Sequence, residues 1–177
     1  MTKKVYNSPI LQLFFDYPET GFHIREIARQ IEKHPNTVLK DVHLLEKEGL
    51  LHIKATRAIV QVTANRDSKL FIRLKRISNL RAIYLSGIVD FLHKEYGAPK
   101  AIILFGSYSR GEDTKRSDID IAIITSHNIS TKLTKYESSL KRTIQLHKID
   151  LKKASKEFTT NLANGIVLEG YLDYEEF

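Results

Sequence analysis

Two apolar runs joined by a short polar stretch constrain this chain more than any other feature. Ile102-Ile103-Leu104-Phe105 ends at Gly106-Ser107-Tyr108-Ser109-Arg110-Gly111, and Ser117-Asp118-Ile119-Asp120 leads into Ile121-Ala122-Ile123-Ile124. Each run is short, apolar and bounded by turn residues, which reads as a buried strand. The Gly-Ser pair ends the first strand and opens a short helix, whose leading N–H groups lack internal partners and suit a phosphate. The second strand begins with two carboxylates one residue apart. Side chains alternate along a strand, so Asp118 and Asp120 share a face while Ile119 and Ile121 take the other. Two acids side by side repel each other unless a cation lies between them. The spacing therefore points to a divalent-metal site beside a triphosphate cradle.

Gly-Ser, ten residues, then Asp-x-Asp resembles the nucleotidyltransferase superfamily typified by DNA polymerase β, and most closely its minimal nucleotidyltransferases. Arg110-Gly111 after the Gly-Ser and Ser117 before the first acid also look like the family. Taken singly, Gly106 is a turn glycine, Ser107 a helix cap and the acids solvated strand-edge charges; the joint spacing carries the argument. The resemblance implies an α+β fold for the C-terminal half, a small mixed sheet flanked by helices. It implies an NTP, with ATP the first choice, held at Gly106, Ser107, Arg110 and Ser117. It also implies two Mg²⁺ ions on Asp118, Asp120 and a third carboxylate from a later strand, for which Lys148-Ile149-Asp150-Leu151 offers Asp150. Attack by an acceptor hydroxyl would then expel pyrophosphate, with Asp150 completing the second ion site and accepting the proton. Arg110, Lys115 and Arg116 are candidates to steady phosphate charge.

The N-terminal half has a different rhythm. Residues 8–16 read as a helix with Ile10, Leu11, Phe14 and Phe15 on its apolar face, and Ile24, Ile27, Ala28 and Ile31 follow helical spacing. After Glu32-Lys33-His34-Pro35 a third helix, 36–48, is capped at Asn36 or its neighbours and stopped by Gly49. Leu50–Lys54 and Ala58–Val62 read as two strands around a basic turn at Arg57. Helix, helix, helix, hairpin is the layout of a winged helix, and Ile24–Leu51 resembles winged helix-turn-helix domains. Val38, Val42 and Leu45 face inward in this reading, while Asn36, Lys40, His43 and Lys47 fall on the opposite face. Such a face meets DNA through Lys40 and Lys47 on phosphates and Asn36 and His43 on base edges, with Lys54 and Arg57 at the wing. Leu44, on the exposed side, argues for a protein contact instead. Both readings stay open here.

Residues 66–96 read as one long helix with an apolar stripe of Phe71, Leu74, Ile77, Tyr84, Ile88 and Phe91, either core or a dimer seam. Lys69, Arg73, Lys75, Arg76 and Arg81 line its other faces. Three segments result: 1–65, 66–97 and 98–177, with a boundary at Tyr96-Gly97-Ala98-Pro99.

Charge separates the halves. Residues 1–97 hold 16 Lys and Arg against 10 Asp and Glu, and residues 98–177 hold 12 against 11, so the basic excess is N-terminal. There is no cysteine, which excludes disulfides and thiolate metal sites. No apolar stretch approaches a membrane helix and Met1-Thr2-Lys3-Lys4 is not followed by a signal-peptide core, so no membrane association and a cytoplasmic location are expected. Asn128-Ile129-Ser130 then carries no glycosylation meaning.

Two functional classes compete. One is a Mg²⁺-dependent nucleotidyltransferase acting on a protein or nucleic-acid hydroxyl. Its resemblance to minimal members implies pairing with a small helical HEPN-type partner, often as a toxin–antitoxin pair; a homodimer is equally compatible. The other is a DNA-binding regulator whose C-terminal domain only senses nucleotide.

Overall fold

The computed structural model describes residues 6, 8–55, 60–127, 131–150 and 156–172. Along the chain these residues form α1 (Pro9–Asp16), β1 (Phe22–His23), α2 (Ile24–Gln30), α3 (Pro35–Lys47), β2 (Leu51–Ala55), β3 (Val60–Ala64), α4 (Lys69–Ser86) and α5 (Ile88–Glu95). Then follow β4 (Ala101–Phe105), α6 (Gly106–Arg110), β5 (Ile119–Ile124), α7 (Thr134–Leu140), β6 (Ile144–Ile149), α8 (Lys156–Ala163) and β7 (Ile166–Gly170). The chain divides into two compact units, 1–78 and 79–177, and the division falls inside α4.

In the first unit, Ser8 caps α1, its hydroxyl accepting from the Ile10 N–H at 3.2 Å, and Pro9 supplies a preset φ. Losing such a cap costs ~1 kcal/mol. The start of α3 differs from the expectation at Asn36. His34 is the N-cap, its Nδ1 accepting from the Asn36 N–H at 3.3 Å, with Pro35 in the first turn. Pro35 lacks an N–H, so the first helical position is where it fits best and the helix starts one residue earlier. β1, β3 and β2 form an antiparallel sheet in that order. The core joins Ile10, Leu11, Phe14, Ile27, Val38, Val42, Leu45, Leu50, Val62 and Phe71.

The second unit is built on a mixed sheet of order β6-β5-β4-β7. β4 is antiparallel to β5 and β7, while β6 is parallel to β5. One face of the sheet buries Ile102, Leu104, Ile119, Ile121 and Ile123 against Ile83, Ile88, Leu92 and Tyr136. The other packs Ala101, Ile103, Phe105, Ala122 and Ile124 with Leu162 and Phe158 of α8. Both faces are covered, which is why β4 and β5 are continuous apolar runs rather than alternating ones.

The long helix is broken. Gly87 takes a left-handed φ of 74° and ends α4 before α5 begins. The buried stripe of α4 also differs from the apolar one: Phe71, Lys75, Asn79 and Ile83 are buried at i, i+4, i+8 and i+12. Ile77, Tyr84 and Leu85 are exposed. Lys75 is therefore not on a solvated face, and Asn79 is buried with its amide nitrogen donating two hydrogen bonds. The periodicity of apolar residues misplaced the stripe because two polar residues, Lys75 and Asn79, lie on the buried side, and Asn79 is bonded there.

Candidate active site

The site lies where β4 gives way to α6 and β5 begins. Phe105 pairs with Asp120 across the antiparallel ladder, which brings Gly106 directly against the second acid. Gly106 has φ 74°, and a Cβ placed on it would overlap Asp120 Oδ2. Both facts exclude a side chain there. After Gly106 the chain turns straight into α6, so Ser107 stands in its first turn. The expectation of a strand, a Gly-Ser turn and a short helix describes this local structure as it stands.

The loop between α6 and β5 is held from beneath by a buried polar network. The Asn79 amide donates to Asp113 Oδ1 at 2.7 Å and to the Tyr108 carbonyl at 2.9 Å. Arg142 Nη2 lies 3.6 Å from Asp113 Oδ2, and both side chains are almost wholly buried. The same guanidinium donates to the Lys115 carbonyl. Ser117 closes the loop, its hydroxyl accepting from the Thr114 N–H at 3.0 Å. Asp118 follows directly. The residue types of Asn79, Asp113 and Arg142 carry no motif, and only their burial marks them.

Asp118 and Asp120 are both half-buried at the start of β5. Arg110 is exposed and pairs with Glu112 at 2.7 Å rather than turning to the acids. Asp150 is not brought to the pair. Because β6 runs parallel to β5 with Gln145 opposite Asp120, Asp150 lies five residues further along, about 16 Å at a strand's rise. The side chains that β6 does bring are Gln145, whose amide donates to Asp118 Oδ2 at 3.3 Å, and His147, whose Nε2 is 3.5 Å from Asp120 Oδ1. Period-two alternation along Gln145-Leu146-His147 is the signal that could have found them. Among the described residues, no three acidic or histidine side chains already converge as a cation site.

The fit to divalent cations follows from these contacts. Asp120 Oδ2 lies in a cradle that a Cβ at position 106 would fill, and Asp118 and Asp120 supply hard oxygens without closing a cage. The pair fits one such ion. A second ion resting on Asp150 does not fit, since that carboxylate stands at the other end of the strand.

In the first unit, Asn36, Lys40, His43, Leu44 and Lys47 are all exposed along α3, and Val38, Val42 and Leu45 are buried behind them. His43 Nδ1 is 3.5 Å from Glu46 Oε2. Lys54 is exposed on β2, whereas Arg57 lies outside the described residues, as does Asn128-Ile129-Ser130. Among the described residues no helix is long and apolar enough to cross a membrane.

None of the curated proteins is significantly similar. One solved structure, described as "Crystal structure of the toxin-antitoxin with AMP-PNP", is 29% identical, with 48% of this chain and 71% of that chain covered and a TM-score of 0.40. The family model described as "Polymerase beta, Nucleotidyltransferase" matches residues 87–176, just over half of the 177 residues. That span contains β4, α6, β5 and β6 with both acids. The chain belongs to the polymerase β nucleotidyltransferase family.

Proposed function

We propose that this protein transfers a nucleoside monophosphate from an NTP to an acceptor hydroxyl and releases pyrophosphate. The observation that carries the reading is the contact between Gly106 and Asp120: the glycine that opens α6 leaves the space that the second acid occupies. The N–H groups at the start of α6 and the Ser107 hydroxyl bind the β- and γ-phosphates. Asp118 and Asp120 hold a divalent cation, Mg²⁺ in the simplest case, which supplies charge neutralisation at the α-phosphate when bound. The acceptor oxygen attacks the α-phosphorus in line, the bond to the β-phosphate oxygen breaks, and the hydroxyl proton leaves to solvent or to a nearby base. The loop network through Asp113 and Arg142 keeps Ser117 and Asp118 in position.

The acceptor belongs to a partner, protein or nucleic acid. We take residues 1–65 as a winged helix-turn-helix that recruits it. The order α1-β1-α2-α3-β2-β3 and the exposed polar face of α3 support this. A HEPN-type partner, a homodimer and a cytoplasmic location belong to the same reading. The position of Asp150 favours one alternative, a regulator whose nucleotide site binds without turning over, because the acid expected to take the proton is distant.

Calorimetry and a pyrophosphate-release assay on one preparation test both. NTP should bind tightly with a divalent cation and much more weakly in EDTA. Asp118→Asn or Asp120→Asn should abolish pyrophosphate release while the thermal transition stays near wild type. Equal affinity in EDTA would count against the site; cation-dependent binding without turnover would favour the regulator.

A further inference from the structure

The strand beside the acid pair presents nitrogen to it, not oxygen. In the parallel register Gln145 stands opposite Asp120 and His147 opposite Ala122, so Gln145 and His147 share the face of the acids. His147 Nε2 lies 3.5 Å from Asp120 Oδ1, is shielded from water and has no hydrogen-bond partner among the described residues. Its ring is held between two aromatic neighbours, edge-on to Phe105 at 5.2 Å between centroids and tilted against Phe158 at 5.9 Å. A buried polar nitrogen left unbonded is costly unless another species uses it. Two ligands each about 2.1 Å from one ion lie roughly 3.0–3.5 Å apart, and the imidazole and carboxylate already stand near that spacing.

We infer that His147 Nε2 ligates a divalent cation together with Asp120 and Asp118, and that the site takes a transition-series cation such as Mn²⁺ in preference to Mg²⁺. This rests on the acid pair being the cation site of nucleotidyl transfer. Asp118 is bonded to Gln145 and joins the set by exchanging that bond. Mn²⁺ also binds carboxylates but exchanges a water for an imidazole more readily than Mg²⁺, which demands hard oxygens and gives up water reluctantly. The side chain on β6 therefore changes which ion the site prefers.

The test loads the full chain with Mn²⁺, alone and with a non-hydrolysable NTP analogue, and records spin-echo EPR. Nitrogen modulation should be present in wild type and should shift when the protein carries isotopically labelled histidine. His147→Gln should lose the modulation and bind Mn²⁺ about tenfold more weakly, with Mg²⁺ affinity changed by less than about twofold. His147→Asp should raise Mg²⁺ affinity and cancel the preference. The labelled wild-type protein decides between ligation and its absence even if His147→Gln fails to fold. Bound Mn²⁺ without histidine modulation overturns the inference and leaves the nucleotidyl-transfer reading intact. Absence of Mn²⁺ binding with Mg²⁺ binding retained overturns the inference alone; absence of both, or equal binding of both by Asp120→Asn, overturns the nucleotidyl-transfer reading as well.

Discussion

Gly106 lacks a side chain because Asp120 already fills the space. The site turns on that single close approach, which couples the backbone of the β4–α6 turn to the orientation of a carboxylate. Gly106→Ala meets two costs: a left-handed φ of 74°, unfavourable for an L-residue by about 1–2 kcal/mol, and a methyl group inside the carboxylate. Asp120 must turn away. We expect the variant to stay folded and to bind NTP and its cation at least tenfold more weakly, about 1.4 kcal/mol or more. Calorimetry beside a thermal melt checks this: normal binding would mean that the turn has room the close contact denies. At this scale the sequence was most informative, since the spacing of Gly106, Ser107, Asp118 and Asp120 is legible in it and the β4–β5 pairing brings Gly106 against Asp120. Asp150 was misleading. Its flanking residues look like a strand, but only the register with β5 reveals at which end it lies.

The elements hold the site through polar contacts that no periodicity reveals. The loop from α6 to β5 is anchored on Asp113, which reaches Asn79 of α4 and Arg142 ahead of β6. Both members of the ion pair are buried, so removing the guanidinium takes one compensating charge away from a carboxylate in a poorly solvated place. Arg142→Ala should therefore destabilise residues 79–177 by about 1.5–3 kcal/mol, the range for losing a hydrogen-bonded contact to a charged group, read from denaturant unfolding. Pyrophosphate release should fall with it, because Ser117 and Asp118 end that loop. A change below about 1 kcal/mol would show that the pair is solvated in solution. Asn79 was hidden in the sequence among α4 residues that look like a solvated face. The helix could be predicted, but the face it buries could not, since the partners lie 29 and 34 residues away.

Across the whole molecule, the basic excess lies in residues 1–97, where α3 exposes Asn36, Lys40, His43 and Lys47. If this face meets DNA, duplex binding by the full chain should fall steeply with salt as phosphate contacts release counterions. Lys40→Ala should weaken all duplexes alike and reduce the salt slope by about one, whereas Asn36→Ala should reduce discrimination between sequences. Leu44 stands exposed beside these residues, at 49% of its maximum. A weak, sequence-blind affinity unchanged by either substitution would make α3 a protein-contact surface, and Leu44→Ala would then be the damaging change.

What the sequence determined by itself is what depends on neighbours in the chain. Strand period, the Gly-Ser turn, the Asp-x-Asp face and the helices of the first unit are short-range consequences of sterics and alternation. The tertiary structure decided what depends on pairing. It set β6 parallel to β5, carried Asp150 away from the acids, brought His147 to Asp120, and buried Lys75, Asn79 and Asp113. Which strand pairs with which, and which polar groups are buried, are settled by long-range hydrogen bonds and packing, of which one residue's neighbours in sequence carry only a partial record.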